Sequence, residues 1–460
     1  MAKGKKVMLV KCLDESRRDV YAFRQIPLGI AYLAAVLKDR CAISVFDMLV
    51  DDDLIGAIRR EKPDIIGLSI FSVDFISVRP LIAQVREEFP DMLIVAGGAH
   101  ATTEPDHVLD CGVDMIVQSE GEEAFAQIVD LYDGDFAVLE DVPNVAFRKN
   151  GVTVSRAIKV MKRIDDIPLP AFEVFDRNKY TQYPIMTSRG CPFDCRYCDT
   201  KTIWIDGVRF HSAERVMKEI DRIVNEYGVR KLVFIDDTFT LKHARLLKIC
   251  EMIVAGGYDG IEWSVNSRVD TMTDAVAKAM SRAGCKVVSF GIETGSEFLQ
   301  AETAKRIRID QMKQAVQACR DHGIRVKTGW MVGLPPGGYD EQMKSLDVML
   351  ELSPDEISIH HFIPMPGTPY WRNPELFGIE FDRERLLRSF SIDALPDQLG
   401  LKFHYLSGDE TVAVITDIIS ALRDHGYKQP SEISGSYDLH TRVVNTYMDR
   451  GRLPVLPHTV

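Results

Sequence analysis

Thr187-Ser-Arg-Gly-Cys191-Pro-Phe-Asp-Cys195-Arg-Tyr-Cys198 sets three cysteines at Cys-x3-Cys-x2-Cys spacing, just after the apolar, strand-like run from Tyr183 to Met186. Three thiolates on one short loop can hold three irons of a [4Fe-4S] cluster. Four protein ligands are usual, so one iron is left open for chemistry. A zinc knuckle would need a fourth Cys or His at similar spacing, and the next cysteine, Cys250, lies far downstream. Cys191, Cys195 and Cys198 are therefore the candidate metal ligands.

Downstream of this loop the apolar pattern alternates between helix and strand periods. It predicts helices over 213–225, 243–255, 274–282, 310–321 and 341–350, and strands over 231–235, 261–265, 286–290, 325–332 and 356–362. Met312, Ala315, Val316 and Cys319 fall at i, i+3, i+4 and i+7, a core face, which makes Cys319 a packing residue. With the strand leading into Cys191 there are six strand-helix units, as in a partial (β/α)6 barrel, where chemistry gathers at the carboxyl ends of strands. Those ends carry Asp236-Asp237-Thr-Phe, Asn266-Ser-Arg268, Gly291-Ile-Glu293-Thr-Gly-Ser296, Gly333-Leu-Pro-Pro-Gly and His360-His361. A lone acid or arginine at a strand end is often a structural pair. Five polar strand ends on one rim point to a site instead, with His360 and His361 as candidates to meet a substrate.

Upstream, strands over 6–11, 42–46, 65–70, 93–96 and 115–117 alternate with helices over 27–38, 52–61 and 77–89, a short helix, and a helix from Glu122. That order implies an α/β, flavodoxin-like parallel sheet wound on both faces, with its crevice at the carboxyl ends of the strands. Ser69, Ser72, Gly97, Gly98, His100, Glu120 and Gly121 fall there, as candidates to bind a cofactor or substrate. The loop over 14–25 adds Arg17, Arg18, Tyr21 and Arg24. Lys149-Asn-Gly151 signals a hairpin, and Pro168 and Pro170 stiffen the connector behind it. The predicted division is a Rossmann-type domain over 1–135, a hairpin and Pro-rich linker over 136–182, a barrel over 183–372, and a helical cap over 373–460. The cap contains no cysteine, and Phe403, His404, Tyr405, Tyr437 and His440 are its candidates to close the barrel cavity.

The cysteine spacing, with an aromatic residue before the last cysteine, resembles the radical S-adenosylmethionine (SAM) superfamily. There the open iron chelates the amino and carboxylate groups of SAM, and electron donation yields methionine and a 5'-deoxyadenosyl radical that abstracts hydrogen from a substrate. The resemblance implies SAM contacts from Tyr197, from Asp236 or Asp237 in place of a Gly-Gly-Glu motif, and from Arg268, Glu293, Trp330 and Gly333. Residues 6 to 130 resemble the cobalamin-binding domain that precedes many such barrels, on Ile26-Pro-Leu-Gly, Pro63-Asp-Ile-Ile-Gly-Leu-Ser, Gly97-Gly-Ala-His100 and Glu120-Gly-Glu. The chain departs from that pattern after its first strand, where Cys12-Leu-Asp-Glu-Ser replaces Asp-x-His-x-x-Gly, so a bound cobalamin would lack the lower axial histidine. Asn-Pro-Pro is also missing from the following loop.

The function the resemblance implies is radical SAM chemistry, foremost cobalamin-dependent C-methylation of a small-molecule natural product or cofactor intermediate, with methylcobalamin made from a second SAM. The alternative is dehydration, epimerisation or cyclisation, a lyase-type or oxidoreductase outcome with the N-terminal domain as a cobalamin-free scaffold. A methylthiotransferase would hold a second cluster on Cys12, Cys41 and Cys111, but Cys41 and Cys111 fall at packing positions. An iron-sulfur sensor would come with a DNA-binding module, and none accompanies the cluster motif. An electron donor such as a flavodoxin, ferredoxin or reductase is the implied partner.

The totals agree with this. The 460 residues are 46% hydrophobic and 27% charged, ordinary globular values, and the net charge of -12 advertises no nucleic-acid surface. No apolar run approaches the ~20 residues of a membrane span, and nine cysteines with one cluster at ligand spacing fit the reducing cytoplasm.

Overall fold

Apolar runs too short for helices and flanked by turn residues become strands, and longer runs with helical spacing cover them. In this computed structural model, which describes residues 4–14, 24–258, 260–388, 399–428 and 443–445, they form two compact units. Arg17, Arg18, Tyr21, Tyr437 and His440 lie outside the described residues. One unit comprises Met1–Tyr183 with Asp199–Arg209, the other Pro184–Cys198 with Phe210–Val460.

In the first unit, strands β1 (Lys6–Lys11), β2 (Ala42–Asp47), β3 (Ile65–Ser69), β4 (Leu93–Gly97) and β5 (Met115–Val117) pair in parallel in the order β2-β1-β3-β4-β5. Val7 to Val10, Ile65 and Ile66 are buried on both faces, as parallel strands flanked by helices must be. The order reverses between β1 and β3, which is where a doubly wound sheet opens its ligand crevice.

The segment expected as a linker behaves differently. Its hairpin forms as β6 (Val145–Lys149) and β7 (Val152–Ser155), and β6 pairs antiparallel with β5 through Met115↔Phe147 and Val117↔Val145. The reason is burial: Val145, Ala146 and Phe147 are fully covered, so the hairpin extends the sheet by two strands. Arg24 closes on the end of this unit, its carbonyl accepting from the backbone N–H groups of Thr181 and Gln182.

The second large sheet is built of β8 (Tyr183–Ile185), β9 (Lys231–Phe234), β10 (Glu262–Ser267), β11 (Cys285–Glu293), β12 (Arg325–Val332) and β13 (Glu356–His361), neighbours in chain order. The pairs from β9 to β13 are parallel. Helices follow the strands, including Ala213–Asp221 and Asp274–Arg282, each started by a side chain, Ser212 or Thr273, that accepts from a backbone N–H of the first turn. Met312, Ala315, Val316 and Cys319 are buried on helix Ile309–Asp321, the face that their spacing predicts. The tail is mostly helical, as expected, with helix Gly408–Asp424, and it adds a short strand, β14 (Val443–Asn445), parallel to β13.

Candidate functional site

Two sets of side chains brace the cysteine loop from within the second unit. The buried Asp236 carboxylate, just past β9, accepts from the Thr187 backbone N–H at 3.0 Å, from the Thr187 hydroxyl at 2.7 Å, and from the Ser188 hydroxyl. Burial pushes its pKa up, and the bonds from Ser188 and Thr187 hold against that. Arg245 adds support from helix His243–Ala255, donating to the Thr187 carbonyl at 2.7 Å and to the His211 carbonyl at 2.5 Å. Asp236, one of the two aspartates expected to touch SAM, is thus occupied in shaping the loop. Asp237 beside it is exposed at the strand end, close enough to Cys191 to raise its thiol.

The second brace is Arg268, which follows β10. Its guanidinium lies 3.6 Å from the centre of the Phe193 ring and donates to both oxygens of Asp270, at 2.9 and 2.8 Å. It also reaches the Lys305 carbonyl at 3.0 Å and the Cys195 sulfur at 3.7 Å. Cys191 has the Thr238 hydroxyl 3.9 Å away, and burial pushes its thiol up while the Phe193 N–H pulls it down. Cys198 is exposed. No three His, Cys, Asp or Glu side chains converge as for a single metal ion among the described residues. A cluster takes one thiolate per iron, and the donor set, three cysteines in no disulfide on one braced loop, fits that arrangement.

Glu293 ends β11 with φ at 72°, a left-handed conformation unfavourable for a side-chain-bearing residue, after an irregularity between Gly291 and Glu293. Lys305 holds its carboxylate at 3.2 Å and stands 5.9 Å from the centre of the Tyr197 ring. Burial, then Glu293, Cys195 and Cys198, keep the Tyr197 phenol well above its ordinary pKa. Phe193, Asp270 and Lys305 were not singled out by the sequence. Lys305 sits between two residues of positive φ, Ala304 and Arg306, in a turn with no periodicity to mark it.

Alternation along the strands separates two faces. Trp263 of β10 turns toward the helices, its indole N–H on the Ala283 carbonyl at 2.7 Å, so Ser264 and Asn266 face the barrel interior. Across the neighbouring strands Gly291, Gly329 and Ser358 share one register row. A Cβ at Gly329 would meet nothing nearer than 3.9 Å, so the row is open there, whereas at Gly291 the space is taken by the Glu293 carboxylate and by the Lys305 ammonium, 3.3 Å from where a Cβ would lie. Below it Lys327 pairs in register with Glu356, and burial lowers its pKa.

Trp330 departs from expectation. Its side chain shares the buried face of Val326, Thr328 and Val332 and donates to the Thr328 hydroxyl at 2.9 Å, so only its backbone lies along the interior row. Gly333, with φ at 91°, is fixed at the strand end by the Gln342 amide oxygen and by the Tyr405 hydroxyl, which donates to its carbonyl at 3.0 Å. A side chain there would press on Phe403 at 3.1 Å. Phe403 and Tyr405 therefore do pack against the barrel, while His404 turns outward to Glu380 at 2.6 Å. His360 is half-buried beside Met331 in register; His361 is buried, and burial lowers its pKa to about 4.

In the first unit the crevice residues divide. Ser69 ends β3, and Phe71 just beyond it is 45% exposed with the Lys11 ammonium 4.4 Å from its ring centre. Gly97 and Gly98 follow β4, and the φ of 95° at Gly98 serves a close approach, since a Cβ would lie 2.7 Å from the Ile70 carbonyl oxygen. The approach is to protein backbone. His100 is completely buried, bonded through Nδ1 to the Ser72 hydroxyl at 3.1 Å and packed on Phe75; burial and then His107 lower its pKa to about 3. No histidine precedes it in the sequence. Glu120 is turned away from the crevice: it accepts from Arg209 at 2.7 Å and from the Met161 N–H at 2.9 Å, a buried pair. At Gly121 a Cβ would make only ordinary contacts at 3.4 and 3.7 Å, so neither packing nor its φ requires a glycine. Cys41 and Cys111 sit on helix carbonyls, and burial pushes the Cys12 thiol up to about 12.

Residues 185–352 match the radical SAM superfamily, and residues 17–129 match the B12 binding domain. The chain is 31% identical over 360 residues to an uncharacterized methyltransferase of Pyrococcus horikoshii, covering 75% of this chain and 77% of that protein. It is 24% identical over 433 residues to the cytidylyl-2-hydroxyethylphosphonate methyltransferase of Streptomyces wedmorensis, covering 79% and 80%. To the anaerobic magnesium-protoporphyrin IX monomethyl ester cyclase of Cereibacter sphaeroides it is 26% identical over 366 residues, 75% of this chain and 60% of the cyclase. Among solved structures, the radical SAM methyltransferase TsrM from Kitasatospora setae, with cobalamin and a [4Fe-4S] cluster bound, has the same fold. Its TM-score is 0.74 at 16% identity, over 96% of this chain and 93% of that one.

Proposed function

The chain belongs to the radical SAM superfamily and carries a B12-binding domain ahead of the catalytic one, and on that footing we propose that it is a cobalamin-dependent methyltransferase acting on a small molecule. The observation that carries the reading is the braced loop of Cys191, Cys195 and Cys198 in a chain whose N-terminal domain matches the B12 family. Two of the three relatives above are named as methyltransferases and one as a cyclase, and the methyltransferases, matched over 77% and 80% of their length against 60% of the cyclase, support methyl transfer over dehydration, epimerisation or ring closure. When bound, the cluster supplies the electron that cleaves SAM, and the corrin carries the methyl group.

The residues of this chain do the holding. Asp237 takes the SAM amino group, Glu293 and the half-buried Tyr197 lie toward the ribose, and Gly329 on β12, with Gly333 just past its end, lies along the adenine. His360 meets the substrate. Ser69, Phe71, Gly97 and Gly121 would line the crevice that takes cobalamin. An external reductant delivers the electron in the cytoplasm, where thiols stay reduced; no helix among the described residues is long and apolar enough to cross a membrane.

Anaerobic reconstitution tests this. The unaltered chain is expected to bind about four irons and one corrin, and its cob(II)alamin electron paramagnetic resonance (EPR) spectrum is expected to lack the nitrogen splitting of an axial histidine. Replacing any one of the three loop cysteines by alanine should abolish 5'-deoxyadenosine formation, whereas Cys12→Ala should not. Reconstituted protein that turns a substrate over to a non-methylated product without corrin would refute the methyltransferase reading.

A further inference from the structure

Arg268 stands where the family resemblance implies a contact to SAM, yet the structure commits its hydrogen bonds elsewhere. A guanidinium has five N–H donors in a fixed plane. Here Nε and Nη2 fork onto Asp270, Nη2 also reaches the Lys305 carbonyl, Nη1 points at the Cys195 sulfur, and one face covers Phe193. The side chain is only 6% exposed, so these contacts define its position. The other cysteines have different surroundings: Cys191 has a neutral hydroxyl, and Cys198 is exposed. Nη1 of Arg268 is directed at the Cys195 sulfur.

We infer that Arg268 is a positioning residue for the iron-sulfur cluster rather than a SAM ligand: it fixes the loop through Phe193 and, by donating to the Cys195 sulfur, raises the cluster's reduction potential. This rests on the three cysteines holding a [4Fe-4S] cluster. Hydrogen bonds to ligand sulfurs and nearby positive charge withdraw electron density from an iron-sulfur centre and make its reduced form easier to reach. Asp270 orients the arginine without cancelling its direction, because it binds the edge of the guanidinium formed by Nε and Nη2 while Nη1 faces the sulfur. A lysine cannot reproduce the arrangement, since its ammonium offers neither the plane that stacks on Phe193 nor the fork that Asp270 holds.

The test is an EPR-monitored redox titration of anaerobically reconstituted protein without SAM, comparing the unaltered chain with Arg268→Met and Arg268→Lys, alongside iron and sulfide per chain. Arg268→Met is expected to keep its iron and to shift the midpoint to lower potential, with Arg268→Lys shifted in the same direction by less. SAM binding measured on the oxidised cluster should fall by less than threefold in Arg268→Lys. If Arg268→Met fails to hold iron, the lysine variant decides: a full cluster at lower potential upholds the inference. An unchanged or higher potential in a variant with full iron overturns it. Loss of the cluster from both variants assigns the residue to loop folding and also overturns it, as does a loss of SAM binding of a hundredfold or more at unchanged potential. Absence of a [4Fe-4S] signal from the unaltered chain would instead refute the functional reading beneath it.

Discussion

Removing the Asp236 carboxylate would leave the Thr187 N–H and the hydroxyls of Thr187 and Ser188 buried without their acceptor. At about 1 kcal/mol or more for each stranded donor, Asp236→Ala is expected to cost roughly 3 kcal/mol and to lower iron uptake with it. Asp237→Ala, at an exposed position, is expected to stay within about 1 kcal/mol of the unaltered chain and to weaken SAM binding alone. Urea unfolding, iron content and SAM titration separate the two. Adjacent aspartates look equivalent in a sequence, and strand alternation says only that they face opposite ways. Which one turns onto Thr187 depends on a partner some fifty positions upstream, and nothing local in the sequence records that pairing. His361 gives a pH prediction at the same scale. Its folded pKa of about 4 lies below the unfolded value of about 6.5, so its neutral form contributes full stability above pH 6.5, and that stability is lost as pH falls toward 4. At pH 5 the loss is about 2 kcal/mol. His361→Gln should therefore flatten the acid side of a plot of melting temperature against pH, and an equally steep plot would contradict the buried neutral imidazole.

At the scale of elements, the glycines after β4 and before the helix that begins at Glu122 look alike in sequence and do different work. Gly98→Ala forces an L-residue into a left-handed conformation with a Cβ against the Ile70 backbone, and is expected to destabilise the cobalamin-free chain by more than about 2 kcal/mol. Gly121→Ala has room in the structure and is expected to leave that stability within about 0.5 kcal/mol. A selective loss of corrin uptake in Gly121→Ala, read by absorbance, would mark it as a residue the cofactor lies against. The strands and helices themselves were legible because period-2 and period-3.6 patterns are local. The role of the β6 and β7 hairpin was not, because Val145 to Phe147 read the same whether a hairpin stands alone or joins β5. The strained end of β11 was equally hidden: Glu293 looks like an ordinary strand-end acid, and its positive φ and its bond to Lys305 arise only when the turn after helix Glu297–Glu302 folds back.

For the whole molecule, the cysteine spacing and the order of strands were enough to indicate two α/β units and a cluster loop, since both depend on sequence order. The reaction's outcome depends on side chains from distant segments meeting one substrate, and that is not written in any local pattern. The central claim is that this chain moves a methyl group from SAM by way of a corrin. The most direct measurement needs no acceptor substrate: protein reconstituted with cluster and cobalamin, reduced anaerobically and mixed with SAM, is analysed for S-adenosylhomocysteine. The account predicts about one equivalent per bound corrin in the first turnover, and none from the corrin-free protein. S-adenosylhomocysteine absent from the corrin-loaded protein, or formed equally without corrin, would contradict it.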